Sequence, residues 1–242
     1  MKIDSSRIIC FLFLGASFSM STAWANLSIP IVNPSFEKLP SGGLTLTAGC
    51  GSVSGCVYDF GQIFGWNVSN PSDTGQWQPG ITGAAPDFFS SLPAGPTVAF
   101  SNGGAIYQQV GTVTAGEVGQ TLILSVYVGD RSDGFSVPSY LGTVDLMVGG
   151  VSYFAMGLTP VAGSWSLWTA SVKLTSANLN QGITVMLLNP SGIAQVDFDG
   201  VSLELAPEPG FYGVLALGLA GLFFAVTRRR SMRSIPVAAN RN

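Results

Sequence analysis

Residues 120–130, QTLILSVYVGD, set Leu122, Leu124, Val126 and Val128 against Thr121, Ile123, Ser125 and Tyr127 in strict alternation. A repeat of two places successive side chains on opposite sides of an extended chain, and it cannot form the 3.6-residue stripe of an amphipathic helix. The same reading gives strands over 97–101, 105–110, 142–148, 151–156, 167–174, 183–188 and 194–205, with Gly, Pro, Ser and Asn at the turns between them. Each such strand has one apolar face that needs a second layer to cover it. The predicted class is therefore all-β, a β-sandwich, with a closed barrel as the competing architecture.

The last predicted strand changes phase. Val196 and Phe198 share one parity, whereas Val201, Leu203 and Leu205 share the other, and the slip falls at Asp199 and Gly200. One extra residue at a glycine is the signature of a β-bulge.

The two ends of the chain differ from this middle. Residues 1–25 carry Lys2 and Arg7, an apolar core over 8–18 and the small-x-small triplet Ala23, Trp24, Ala25, the three-part pattern of a secretory signal peptide cleaved after Ala25. At the other end an apolar run over 210–227 is followed by Arg228, Arg229 and Arg230. An uncharged run of that length is about the minimum that crosses a hydrocarbon core as a helix, and the arginines fix its cytoplasmic side. A tail over 231–242 follows, and 26–205 remains as one exported domain.

Within that domain only Lys38, Arg131 and Lys173 oppose a larger set of Asp and Glu, so nucleic acid is not an expected partner. Cys10 leaves with the signal peptide. Cys50 and Cys56 are expected to close a small disulfide loop in an oxidising compartment, with a redox or metal site as the alternative. The chain has no histidine, which excludes a Ser-His-Asp triad, a Cys-His pair and a histidine-bound catalytic metal. Paired carboxylates for glycoside hydrolysis remain conceivable but are scattered along the chain. A non-catalytic protein is therefore expected.

Pro207, Glu208 and Pro209, standing directly before the apolar run and the arginine cluster, resemble the PEP-CTERM sorting signal over 206–230. The resemblance implies recognition by an exosortase at the inner membrane, with the mature protein at the cell surface or secreted and associated with exopolysaccharide or biofilm. The Asn-Pro-Ser-Phe-Glu start at 33–37, Gly65-Trp66 and the closing VDFDGVSLEL at 196–205 resemble galactose-binding-domain-like jelly rolls, a fold shared by several carbohydrate-binding modules. That resemblance implies a structural calcium ion held by Glu37 and Asp199, the alternative being two solvated carboxylates. Asp197 is left out of this set, its side chain expected on the opposite face.

For a glycan site the candidate is Trp77 as an exposed stacking platform, with Gln76, Gln78 and Asp73 supplying hydrogen bonds to sugar hydroxyls. Trp66 is read as core. The GDRSDG segment at 129–134 is read as a polar turn, chosen for its Asp and Gly conformations.

Overall fold

A computed structural model describes residues 26–50, 55–80, 88–133, 142–192, 194–207, 215 and 218–224. The expected signal peptide with Ala23 and Ala25, the sorting residues Glu208, Pro209, Arg228, Arg229 and Arg230, and the tail over 231–242 lie outside these residues.

In chain order the strands are β1 (Leu27–Ser28), β2 (Val57–Phe60), β3 (Asn67–Val68), β4 (Thr74–Gln78), β5 (Val98–Ser101), β6 (Gly104–Thr112), β7 (Thr121–Asp130), β8 (Thr143–Val148), β9 (Val151–Phe154), β10 (Ser164–Lys173), β11 (Gly182–Asn189) and β12 (Val196–Ala206). They form two antiparallel sheets. The larger runs β10-β7-β12-β5-β4-β2 with β1 on the far half of β12, and the smaller runs β3-β6-β11-β8-β9. From β5 onward the chain passes repeatedly from one sheet to the other, as in a jelly roll, and the outcome is a sandwich, not a barrel.

The alternation in β7 sets the interior. Leu122, Leu124, Val126 and Val128 are fully buried between the sheets, where they meet Ile106, Val144, Leu146, Val185, Leu187 and Phe198. Each such aliphatic side chain contributes about 1.5–3 kcal/mol by leaving water. Trp66 joins this core as expected, its ring 5.4 Å from that of Phe36 and its indole N–H donating to the Asn33 carbonyl at 3.2 Å.

The expected bulge is present. The register between β12 and β7 shifts between Asp199 and Ser202, and Gly200 sits at φ 56°. That left-handed conformation suits glycine, and a Cβ there would also press on the Tyr127 ring at 3.0 Å. Before the bulge Val196 and Phe198 turn inward, and after it Val201, Leu203 and Leu205 do so.

β1, β2 and β4 were not anticipated. β2 and β4 are short, and β4 sets Thr74, Gln76 and Gln78 on one side against Gly75 and Trp77 on the other, so no run of alternating aliphatic residues marks them. Among the described residues no helix is long and apolar enough to cross a membrane. Residues 218–224 are helical, with Leu219, Leu222, Phe223 and Phe224 exposed, and the expected span over 210–227 is only partly within the described residues.

Candidate functional site

A second apolar cluster lies on the other face of the larger sheet. Strand register assigns the residues to that face: Trp77 stands opposite Val98 and Tyr58, and Asp197 stands opposite Phe100 on β5 and Gly129 on β7. Directly paired residues project to the same side of a sheet. Over them fold the Cys50 and Cys56 region and the segment carrying Phe88, Phe89 and Leu92, so that Cys50, Cys56, Trp77, Phe88, Phe89, Val98 and Phe100 are buried together. Trp165 closes one side, its ring 4.7 Å from Phe89. It lies flat on Gly129, where a Cβ would come within 2.8 Å of the indole. A side chain at 129 would push the tryptophan off the strand next to Asp197.

This cluster is not packed solid. It leaves a half-open cavity of about 190 Å³, walled by Tyr58, Phe60, Trp77 and Phe100, by the Cys50–Cys56 disulfide with Ala48 and Gly49, and by the polar Asn102, Arg131 and Gln195. The expected disulfide therefore exists and forms part of a cavity wall.

Asp197 sits among four of these wall residues. Trp77 Nε1 donates to its Oδ1 at 2.8 Å and Gln195 Nε2 donates to the same oxygen at 2.7 Å. Phe100 is its strand partner, and the Arg131 charge acts on it. The carboxyl is fully buried, and its Oδ2 has no hydrogen-bond partner. Burial pushes the Asp197 pKa up to about 7, against the opposing pull of Arg131, Gln195 and Trp77. A carboxyl of this kind holds a proton near neutrality and can release it, as a general acid must.

Arg131 is mostly buried and heavily engaged. Its guanidinium lies over the rings of Trp77 and Phe88 at 4.7 and 4.6 Å, pairs with Asp133 at 2.6 Å and donates to Gln195 Oε1. The GDRSDG segment is thus more than a polar turn, because its arginine forms part of the cavity wall.

The predicted glycan platform is not formed. Trp77 is 3% exposed, since β4 is an interior strand of the sheet with its indole under the 88–92 segment and not a loop among glycines and prolines. Gln76, Trp77 and Gln78 are consecutive on a strand, so the glutamines face away from the indole. Gln76 is buried and donates to the carbonyls of Phe36 and Lys38, and Gln78 donates to Thr97 Oγ1 at 3.1 Å. Asp73 lies at the mouth of the strand, bound by Asn70 Nδ2 at 2.8 Å. Only Trp77 of the four belongs to the cavity.

Glu37 and Asp199 do come together, at the loop leading into β5. Asp199 accepts from the N–H groups of Ala94 and Gly200 at 2.9 and 2.7 Å, and Glu37 accepts from Thr97 at 2.9 Å. Burial, with the Glu37 charge adding to it, pushes the Asp199 pKa up to about 7. Asp197 and Asp199 are two apart on β12 and share a face, contrary to the expectation that excluded Asp197. That shared parity, opposite to Val196 and Phe198, was the signal in the sequence for two carboxyls on the outer face.

A family model for HpiC1-like proteins, described as HpiC1 cyclase, matches residues 27–204. Among solved structures, the Stig cyclase FisC from Fischerella sp. TAU in complex with (3Z)-3-(1-methyl-2-pyrrolidinylidene)-3H-indole is similar, with 24% identity and a TM-score of 0.59 over 76% of this chain and 99% of that one. A cyclase from the same organism in complex with 4-(1H-indol-3-yl)butan-2-one is similar at 22% identity and a TM-score of 0.57, over 75% and 98% of the two chains. No curated protein matches the sequence. The expectation of a non-catalytic protein, drawn from the missing histidine, is overturned by the family match, since the absence of a triad and of a histidine-bound metal does not bear on a cyclase. With 27–204 spanning the whole sandwich, the chain belongs to the HpiC1-like cyclase family.

Proposed function

We propose that this chain is an exported cyclase that takes an apolar molecule of indole size into the outer-face cavity and promotes its ring closure by proton transfer from Asp197. The observation that carries the reading is the cavity itself, an aromatic and disulfide-walled chamber with the buried Asp197 carboxyl bonded directly behind its Trp77 and Gln195 walls. The indole-type ligands of the two similar cyclases support the size and character of the occupant. Trp77 and Gln195 both donate to Oδ1, which leaves Oδ2 as the oxygen that carries the proton. Protonation of the bound molecule generates a cation that the faces of Trp77, Tyr58 and Phe100 stabilise. Ring closure forms a carbon–carbon bond at the expense of a π bond, and loss of a proton from the product returns Asp197 to its starting state. The reaction is an isomerisation and consumes no oxidant.

The test is conversion of indole-bearing olefins to products of unchanged mass, followed by liquid chromatography and mass spectrometry. Asp197→Asn keeps the shape and the acceptor but supplies no acid, and it lowers turnover by about 10²–10⁴-fold. Undiminished turnover in that variant would remove Asp197 from the role.

The two ends support an address for this activity. The signal-peptide pattern over 1–25 and the PEP-CTERM resemblance over 206–230 support export, processing by an exosortase and release or display at the surface, where exopolysaccharide is the expected surrounding. The mature protein isolated from an exosortase-bearing host should lack the mass of the apolar segment. Its retention argues for a permanent anchor instead.

Glu37 and Asp199 fit a structural calcium ion. Both are hard oxygen donors, their like charges face one another, and Gly95 brings backbone close enough that a Cβ there would lie 2.2 Å from Glu37 Oε1. The ion would tie the chain before β2 to the last strand. Chelation should then lower the melting temperature, because an ion bound only by the folded state stabilises it by mass action.

A further inference from the structure

We propose that Asn102 selects ligands that carry a hydrogen-bond donor, an N–H or O–H group, at the polar end of the cavity. The inference rests on the cavity being the ligand site and names a chemical feature of what enters it. Asn102 follows β5, and because Ser101 stands opposite both Val196 and Thr74, it falls in one transverse row with Gln195 and Asp73. Its own N–H donates to the Asp73 carbonyl at 2.7 Å, which fixes the residue at the cavity edge. Its side-chain Oδ1 is sealed from solvent and has no hydrogen-bond partner.

None of the neighbouring polar groups donates to it. Gln195 uses its amide nitrogen on Asp197 and its oxygen on Arg131, and Arg131 is further committed to Asp133. Among the described residues, other buried side-chain atoms without partners occur on Gln76, Thr143, Asp145, Trp165 and Asp197, none of which lines this cavity; Asn102 does. An acceptor buried without a donor destabilises the fold that holds it. A ligand that supplies the donor removes that cost, while one that lacks it leaves the cost in place, and this asymmetry is how a buried polar group discriminates between near-identical molecules. The aromatic walls select shape. Asn102 adds direction, because a flat apolar molecule can enter two ways round and only one of them brings its donor to Oδ1.

The experiment titrates the full chain, purified in detergent, by calorimetry with two matched pairs: indole against N-methylindole, and 2-naphthol against 2-methoxynaphthalene. The donor-bearing member of each pair should bind about tenfold more tightly or better. Asn102→Leu, which keeps the bulk and removes the acceptor, should abolish the preference by weakening the donor-bearing member. Asn102→Ala, which also removes the acceptor, should likewise abolish it and decides the matter if Asn102→Leu does not fold, while Asn102→Asp, which keeps an acceptor in place, should preserve it. Equal affinity within both pairs, or a preference that survives Asn102→Leu, overturns the role of Asn102 and leaves the cavity standing as the ligand site. Failure of all four compounds to bind overturns the cavity reading and this inference with it.

Discussion

The two faces of the larger sheet were built by different rules. The inner face is aliphatic, continuous with the smaller sheet and closed, with Leu122, Leu124, Val126, Val128, Leu203 and Leu205 buried to within 1%. The outer face is aromatic, sulfur-bearing and incompletely filled, and it holds a carboxyl, a guanidinium and two amides where hydrocarbon would pack better. Aliphatic close packing secures a fold. Aromatic walls around unfilled space, with polar groups lacking partners, weaken a fold and are retained where a ligand completes them. The contrast separates what holds this molecule together from what it acts with.

The largest effect that tests this division is on the inner face. Leu124→Ala should cost about 2–5 kcal/mol by leaving a cavity in the closed core, read as a lowered urea midpoint, while any protein still folded binds its ligand as before. Equal damage to binding would mean that the faces are not separable. Next is the disulfide. Replacing Cys50 and Cys56 together by serine frees a loop whose closure is worth about 2 kcal/mol, and it takes away part of the cavity wall. Ligand affinity should therefore fall by more than the change in melting temperature would suggest, and a variant that loses stability but keeps affinity would show the disulfide to be a clasp only. The last test concerns pH. Asp197 and Asp199 have folded pKa values raised to about 7 from 3.8, so the folded state holds their protons more tightly than the unfolded chain does. The stability this confers is fully present below pH 3.8 and is lost as pH rises through about 7. Melting temperatures in chelator should decline from pH 5 to pH 8, and added calcium should recover more at pH 8 than at pH 5. A recovery independent of pH would place the ion away from Asp199.

The inner face was legible in the sequence and the outer face largely was not, for a physical reason. Hydrophobic alternation reports burial on one side of a strand, and β7, β8, β11 and β12 display it because their inward residues are Leu, Ile and Val. The change of parity in VDFDGVSLEL even located the bulge. β4 is buried on both faces, through polar Gln76 inward and Trp77 outward, so it shows no alternation and reads as a loop. The indole that looked like a platform is roofed by Phe88 and Phe89, which are distant in sequence and near only in the fold. Asp197 was set aside by a parity error, although its two-residue spacing from Asp199 was in plain view. The expectation of a non-catalytic protein weighed only hydrolytic machinery, histidine-based or of paired carboxylates, and the family match is to cyclases instead.

Gly200 carries a consequence for how such a chain can vary. Upstream of it the last strand points its acids outward, and downstream it points its leucines inward; Gly200 is the one extra residue between them, and the bulge absorbs it. Deleting Gly200 would leave VDFDVSLEL, one unbroken alternation that keeps the acids outward and the leucines inward without a bulge, so the glycine sets the local bend and the pairing beside Tyr127, not the choice of face. A one-residue change of length here is therefore absorbed by gaining or losing the bulge, and what it alters is the bend of the strand beside Asp199.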